Sequence, residues 1–336
     1  MPCDGAGKEV VPEAVKVLKA AGADFEYHEF DVNADAYLRT GVAIPDHVWV
    51  QLAESDAILF GAVGDPRVKD PNYLAGVLLR LRFELDLYVN LRPARLYDDR
   101  LSPLRHAERR PVDLLIVREN TEGAYAGMGG RFKKGTPDEI AIQEDVNTHL
   151  GVRRIIEYAF HIARREVVMV DKSNAMTFAG GLWQELWQLA ADAHPNTETR
   201  HLFVDAAAMQ LVRDPSRFDV IVTSNLFGDI LSDLTAELIG GMGIAPSGNI
   251  NPVSGRGLFE PVHGTAPDIA GKGIVNPLGA ILSASMMVRH LGQKEMADAI
   301  EGAVGSAIRA GEFTRDLGGN LSTSQAGDAV VKRLKD

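Results

Sequence analysis

The chain has 336 residues, 46% hydrophobic and 24% charged, a length that suggests about two domains and a composition close to that of soluble globular proteins. Its net charge of −11 argues against a general nucleic-acid binder but leaves room for an anionic substrate held by local arginines. With one cysteine (Cys3), no signal-peptide pattern and no apolar run near the roughly 18 residues needed to span a bilayer, we expect a cytoplasmic protein without disulfides, a cysteine zinc site or a membrane partner.

At the start, Gly5-Ala6-Gly7 lacks the third glycine of a dinucleotide fingerprint, and Gly7-Lys8 is followed by Glu9 rather than Ser or Thr, so neither a conventional Rossmann motif nor a P-loop is present. AILFGAV (57–63) has the length and branched-aliphatic content of a buried strand. LLRLRFELDLYVNLRP (78–93) brings Arg80, Arg82 and Arg92 together. Arg80 reads as a solvated helix face paired with Glu84 and Asp86. For Arg82 and Arg92 the pattern alone leaves open a salt-bridged surface or bidentate carboxylate binding. DLLIVRE (113–119) is the next strand. Residues 123–148, with Gly127, Gly129, Gly130 and a turn at 134–137, read as a hairpin or arm.

Amphipathic helices are expected over 151–165 and about 180–193, and strands at EVVMVDK (166–172), HLFVDA (201–206) and DVIVTSN (219–225). Residues 244–278, rich in Gly and Pro, look like one long ordered loop. Strands alternating with helices predict an α/β fold with a largely parallel core.

In such sheets ligands bind beyond the carboxyl ends of the strands. Those ends here carry Arg118, Lys172 and Asp205, followed by a helix bearing Asp229 and Asp233. The last two are four residues apart, share a helix face and repel unless a cation lies between them. Three carboxylates without Cys or His suit Mg²⁺ or Mn²⁺ rather than zinc.

NLRPAR, VRENTEGAYAG, VDKSNAM, DAAAMQLV, SNLFGDILSDL and EPVHGTAPDIAGKGIVNP, in this order along almost the whole chain, closely resemble the isopropylmalate/isocitrate dehydrogenase family. The resemblance implies a two-domain fold with mostly parallel sheets flanked by helices. Its first domain is discontinuous (1–87 and 240–336); the second (88–239) carries the metal site, the dimer contact and the clasping arm. It implies an NAD-dependent β-decarboxylating dehydrogenase in which Arg82, Arg92 and Arg118 hold the substrate's carboxylates and Asp205, Asp229 and Asp233 ligate Mg²⁺ or Mn²⁺. Lys172 helps remove the hydroxyl proton and Tyr125 protonates the enolate. Lys172 and Asp205 would reach into the partner's site of a homodimer.

The resemblance places NAD at the loop His263, Gly264, Thr265, Ala266, Asp268 and Ile269. Asp268 would accept from the ribose hydroxyls and repel a 2′-phosphate. His263 and Asn276 either flank the adenine or make loop-stabilising hydrogen bonds. Leu78 and Leu79 match leucines that contact an isopropyl group, unless they simply pack in the core. They favour 3-isopropylmalate, and with it a place in leucine biosynthesis, over a tartrate/D-malate-type or homoisocitrate/isocitrate enzyme; outside the class the alternative is a non-catalytic paralogue. The start MPCDGAGKEV resembles the family's PGDGIGPEV with Cys3, Ala6 and Lys8 replacing Gly, Ile and Pro, and the strand that precedes it in the family has no counterpart, a loss expected to remove a central strand of the sheet.

Overall fold

A computed structural model describes residues 1–106 and 111–335. Its strands are β1 (Ala57–Leu59), β2 (Val89–Arg95), β3 (Asp113–Glu119), β4 (Gly129–Phe132), β5 (Ile140–Gln143), β6 (Glu166–Asp171), β7 (Glu198–Phe203), β8 (Val220–Thr223), β9 (Pro246–Ile250) and β10 (Gly257–Pro261). The helices are α1 (Gly7–Ala20), α2 (Ala34–Thr40), α3 (Asp46–Glu54), α4 (Asn72–Leu74), α5 (Arg80–Glu84), α6 (His149–Ile162), α7 (Thr177–Ala193), α8 (Val204–Arg213), α9 (Asn225–Leu238), α10 (Leu278–His290), α11 (Lys294–Arg309) and α12 (Thr323–Arg333). A π-helical turn, Ala75–Leu79, joins α4 to α5.

Eight strands form one sheet in the order β1-β10-β9-β2-β3-β8-β6-β7; β4 and β5 pair separately as an exposed antiparallel hairpin, the expected arm. The outer pairs β1/β10, β3/β8, β8/β6 and β6/β7 are parallel, while β10/β9, β9/β2 and β2/β3 are antiparallel. The expected strands in 57–63, 113–119, 166–172 and 219–225 are all present. HLFVDA is strand only as far as Phe203, and Asp205 lies in the first turn of α8 rather than at a strand end.

The reading of 244–278 as one loop is corrected. The segment contributes β9 and β10, buried along their whole length in the middle of the sheet. Buried strands of ordinary composition are branched-aliphatic. Here Ser247 and Asn249 are small polar residues satisfied by side-chain hydrogen bonds, and a Cβ on Gly248 would lie 3.0 Å from the Phe259 ring. Neither feature leaves a hydrophobic period to read.

Residues 1–3 make an isolated parallel bridge, Cys3 to Ala62, and the Met1 ammonium donates to the Leu59 carbonyl (2.9 Å). β1 stands at one edge of the eight-stranded sheet. Beside it opens a groove of about 930 Å³ lined by Phe25, Tyr27, Phe30, Ile58 and Leu59, among others.

Local sequence explains the helix ends that matter for the site. Thr148 caps α6 by accepting from Gly151 N–H (3.0 Å), and the helix stops at Ile162 because the buried Asp219 carboxylate takes the Arg164 and Arg165 N–H groups (2.9 and 2.7 Å). The apolar helix α10 packs on α1, α11, β9 and β10. A main core spans both sides of the sheet, and a smaller cluster holds Val32, Ile44, Phe60, Tyr73, Val77 and Leu81 with Leu258. Among the described residues, no helix is long and apolar enough to cross a membrane.

Candidate active site

β2 and β3 run antiparallel with Asn90 opposite Arg118 and Arg92 two residues along, so Asn90, Arg92 and Arg118 project from one face of the sheet. Arg118 is 1% exposed. Its Nε and one terminal nitrogen donate to Asn225 Oδ1 (3.0 and 2.7 Å), and the other terminal nitrogen meets Asp229 Oδ1. Gly228 makes this possible, since a Cβ there would sit 2.5 Å from Arg118 Cγ.

Arg82, in the middle of α5, donates to Glu260 Oε1 (2.9 Å), while its buried Nε has no hydrogen-bond partner. Arg92 Nε donates to Asn90 Oδ1 (2.9 Å). Burial, then the charges of Arg118 and Arg82, push Arg92 down to about 10. Burial and the neighbouring Arg82 also lower Arg118. Three crowded guanidinium groups, one with a free buried donor, can receive an anion.

The helix α9 faces this cluster. Burial would raise Asp229, but Arg118, the Tyr125 hydroxyl bonded to Oδ2 (2.7 Å) and Arg92 bring it below the usual carboxylate range. Asp233, one turn on, moves the other way: burial and then the charge of Asp229 raise it. Tyr125 lies with its ring 5.3 Å from the Arg118 guanidinium, and burial followed by the bond to Asp229 raises its hydroxyl. An ionised carboxylate beside one that resists ionisation is a donor pair suited to a divalent cation.

The structure thus brings Arg82, Arg92, Arg118, Tyr125, Asp229 and Asp233 together. It does not bring Asp205 to them: Asp205 accepts from Lys172 Nζ (2.7 Å), an ion pair that lowers Asp205. Among the described residues, no three His, Cys, Asp or Glu side chains of one chain form a metal cage. Leu78 is half-buried against the smaller core cluster; Leu79, equally half-buried, belongs to neither core cluster. Arg80 pairs with Glu84 (3.0 Å) as expected and lies over the Trp49 ring, but Asp86, its other expected partner, binds Arg154 instead.

The 263–273 loop is anchored from α1. Ala6 N–H donates to the Thr265 carbonyl (2.8 Å), and Glu9 accepts from the Gly271 and Gly273 N–H groups. Gly264, Asp268 and Ile269 are exposed, Thr265 and Ala266 are half-buried, and Ala266 adopts φ +43°. His263 Nδ1 meets the Gly264 carbonyl (3.0 Å), its Nε2 is buried without a partner, and burial lowers it, so the ring is neutral at pH 7. Asn276 donates to Asp316 (2.9 Å) and accepts from Leu278 N–H (3.0 Å), the loop-stabilising alternative.

Sequence reasoning missed Asn90, Asn225, Asn249 and Glu260, which hold the arginines. Asn90, Asn225 and Glu260 lay in segments read for the charged or loop residues beside them. Asn249 and Glu260 were hidden in the stretch taken for a loop.

An eight-stranded α/β sheet whose face gathers three arginines against a paired-aspartate helix suits an enzyme that holds a carboxylate-bearing substrate. The chain belongs to the isocitrate/isopropylmalate dehydrogenase family, whose model matches residues 1–330. It is 47% identical to the 3-isopropylmalate dehydrogenase of Thermobifida fusca, covering 100% of this chain and 97% of that one. It is 48% identical to the 3-isopropylmalate dehydrogenase of Corynebacterium glutamicum, covering 99% and 97%. The crystal structure of isocitrate dehydrogenase from Methylococcus capsulatus superposes with a TM-score of 0.91 at 38% identity, covering 100% of this chain and 98% of that one.

Proposed function

We propose that this protein oxidises and decarboxylates 3-isopropylmalate to 4-methyl-2-oxopentanoate with NAD and Mg²⁺ or Mn²⁺. The observation that carries the substrate choice is Leu79, half-buried and outside both core clusters, one helical turn before the Arg82 that enters the arginine cluster. An aliphatic branch against Leu78 and Leu79 gains about 1.5–3 kcal/mol when fully buried, whereas a third carboxylate there would be penalised.

Arg82, Arg92 and Arg118 bind and orient the two carboxylates, and the free Arg82 Nε is one donor for them. Asp229 and Asp233 hold the cation from this chain, with Asp205 of a second copy completing the set. When bound, the cation supplies Lewis-acid polarisation of the substrate oxygens, and NAD accepts the hydride. Lys172, also from the second copy, takes the hydroxyl proton as general base. Tyr125, kept protonated and aimed by Asp229, returns a proton to carbon after CO₂ leaves.

The 263–269 loop takes the adenosine half of NAD. The unpartnered His263 Nε2 is available to the adenine, and the exposed Asp268 carboxylate to the ribose hydroxyls. The homodimer is clasped by the β4–β5 arm, whose exposed Phe132, Ile140 and Ile142 need a cover. Residues 1–87 with 240–336, and 88–239, are the two domains that close over the substrate.

NADH formation on isopropylmalate, D-malate, tartrate and isocitrate with Mg²⁺ or Mn²⁺ tests the proposal. Isopropylmalate should have the highest kcat/KM. If it is the poorest of the four, the leucine argument is wrong; if no substrate gives NADH, the enzymatic reading is.

A further inference from the structure

The arginines of the site are not held by carboxylates alone. Asn249 on β9 lies opposite Asn90 on β2, which lies opposite Arg118 on β3, so the three share one face of the sheet. Asn249 Oδ1 accepts from Asn90 Nδ2 (2.9 Å) and Asn120 Nδ2 (3.0 Å). Its Nδ2 donates to the Leu258 carbonyl (3.2 Å) and Glu260 Oε1 (3.0 Å). Two amide hydrogens and two lone pairs are the full capacity of an asparagine, and all four are used.

The amide can sit only one way round. Turned over, its NH₂ would face two other NH₂ groups and its oxygen would face the Glu260 carboxylate. Asn249 is completely buried, as is Asn90, and a buried polar group left unpaired is costly. Each neighbour then passes the constraint on. Glu260 Oε1, held by Asn249, receives Arg82 (2.9 Å). Asn90, held by Asn249 and by Ser247 (3.0 Å), presents its Oδ1 to Arg92 Nε (2.9 Å).

We propose that Asn249 is a positioning residue that sets the spacing between the substrate arginines Arg82 and Arg92, acting through Glu260 on one side and Asn90 on the other. It touches no substrate itself. The inference rests on the reading of Arg82 and Arg92 as carboxylate ligands. It adds that their separation, and so the length of dicarboxylate accepted, is fixed by one amide on the strand between them. A leucine at this position would fill the same space and leave Glu260 and Asn90 free to swing.

The test compares Asn249→Ala and the near-isosteric Asn249→Asp with the wild type. Calorimetry measures isopropylmalate and D-malate binding; kinetics measures KM for hydroxy acid and for NAD separately; thermal melts report folding. Asn249→Asp keeps the acceptor for Asn90 and Asn120 but turns a carboxylate toward Glu260, so it loosens Arg82 while sparing Arg92. Both variants should weaken dicarboxylate binding and raise its KM about tenfold, the scale of one lost hydrogen bond to a charged group, with the NAD KM unchanged. If the alanine variant does not fold, the aspartate variant decides. A lower melting temperature with unchanged dicarboxylate affinity would make Asn249 a purely structural residue and overturn the inference alone. A wild type that binds neither acid would overturn the reading of the arginines, and the inference with it.

Discussion

Leu79→Ala is the sharpest probe of substrate choice. Leucine to alanine removes three methylene-sized groups, each contributing about 0.8 kcal/mol when fully withdrawn from water. Leu79 is already mostly buried before any substrate arrives, so at most about a third of that total, about 0.8 kcal/mol, is available for contact with an isopropyl branch. That corresponds to a loss of up to about fourfold in kcat/KM for isopropylmalate. D-Malate has no branch to lose and keeps the same two carboxylates for the arginines, so its kcat/KM should not change. The ratio of the two specificity constants therefore isolates the contact from any general damage to the protein. Leu78 is a poorer choice because it also packs against the smaller core cluster. Equal losses on both substrates would mean that Leu79 supports the helix rather than the substrate. No loss on either would remove the leucines from the specificity argument.

Lys172→Met should abolish turnover while NAD still binds with near wild-type affinity by calorimetry; retained turnover would remove Lys172 from proton transfer. Asp268→Lys should raise KM for NAD and lower it for NADP, and an unchanged NAD/NADP ratio would show that the ribose contact lies elsewhere. Asp219→Asn should lower the melting temperature at pH 7, because the carboxylate that accepts the Arg164 and Arg165 N–H groups is lost, at about 1–3 kcal/mol. Burial would raise Asp219, but the Arg165 N–H, the Arg164 side chain and the Glu166 N–H hold it below its ordinary value. Its stabilisation is therefore present above the unfolded-state pKa and is lost as pH falls through the folded one, so the difference between variant and wild type should shrink in acid.

The parallel part of the sheet was legible because its strands are buried on both faces and built from branched aliphatics, as in Glu166–Asp171 and Val220–Thr223. The antiparallel centre was not. NLRPAR was noticed for its arginines, yet it is β2, and β9 with β10 passed for a loop. Where the sheet carries the site its side chains are polar and answer to each other: in β9 this leaves no hydrophobic period, and in β2 the alternation of Val89 and Leu91 with Asn90 and Arg92 is short and runs into Pro93. The charged members of the site stood out by type and by position after strands. The asparagines that hold them carry no charge and no motif of their own, and only the pairing of β2 with β9 puts Asn90 beside Asn249. Asp205 was grouped with the cation from its place after a strand, and by likeness given to a partner's site; within one chain it salt-bridges Lys172.

The π-helical turn at Ala75–Leu79 has a bearing on how this scaffold diverges. A wide turn of this kind holds one residue more than an α-helix would in the same rise. Deleting a single residue there would return the turn to ordinary α-helical spacing and leave the segments on either side in register, because the wide turn already absorbs the extra residue. The arginine could stay anchored to Glu260 while the side chains within the turn, Leu78 and Leu79 among them, change places before the substrate's branch. Length change by one codon, rather than replacement of each leucine in turn, is thus a short route from one hydroxy acid to another. Swapping in a one-residue-shorter helix should change substrate preference while sparing the affinity for NAD.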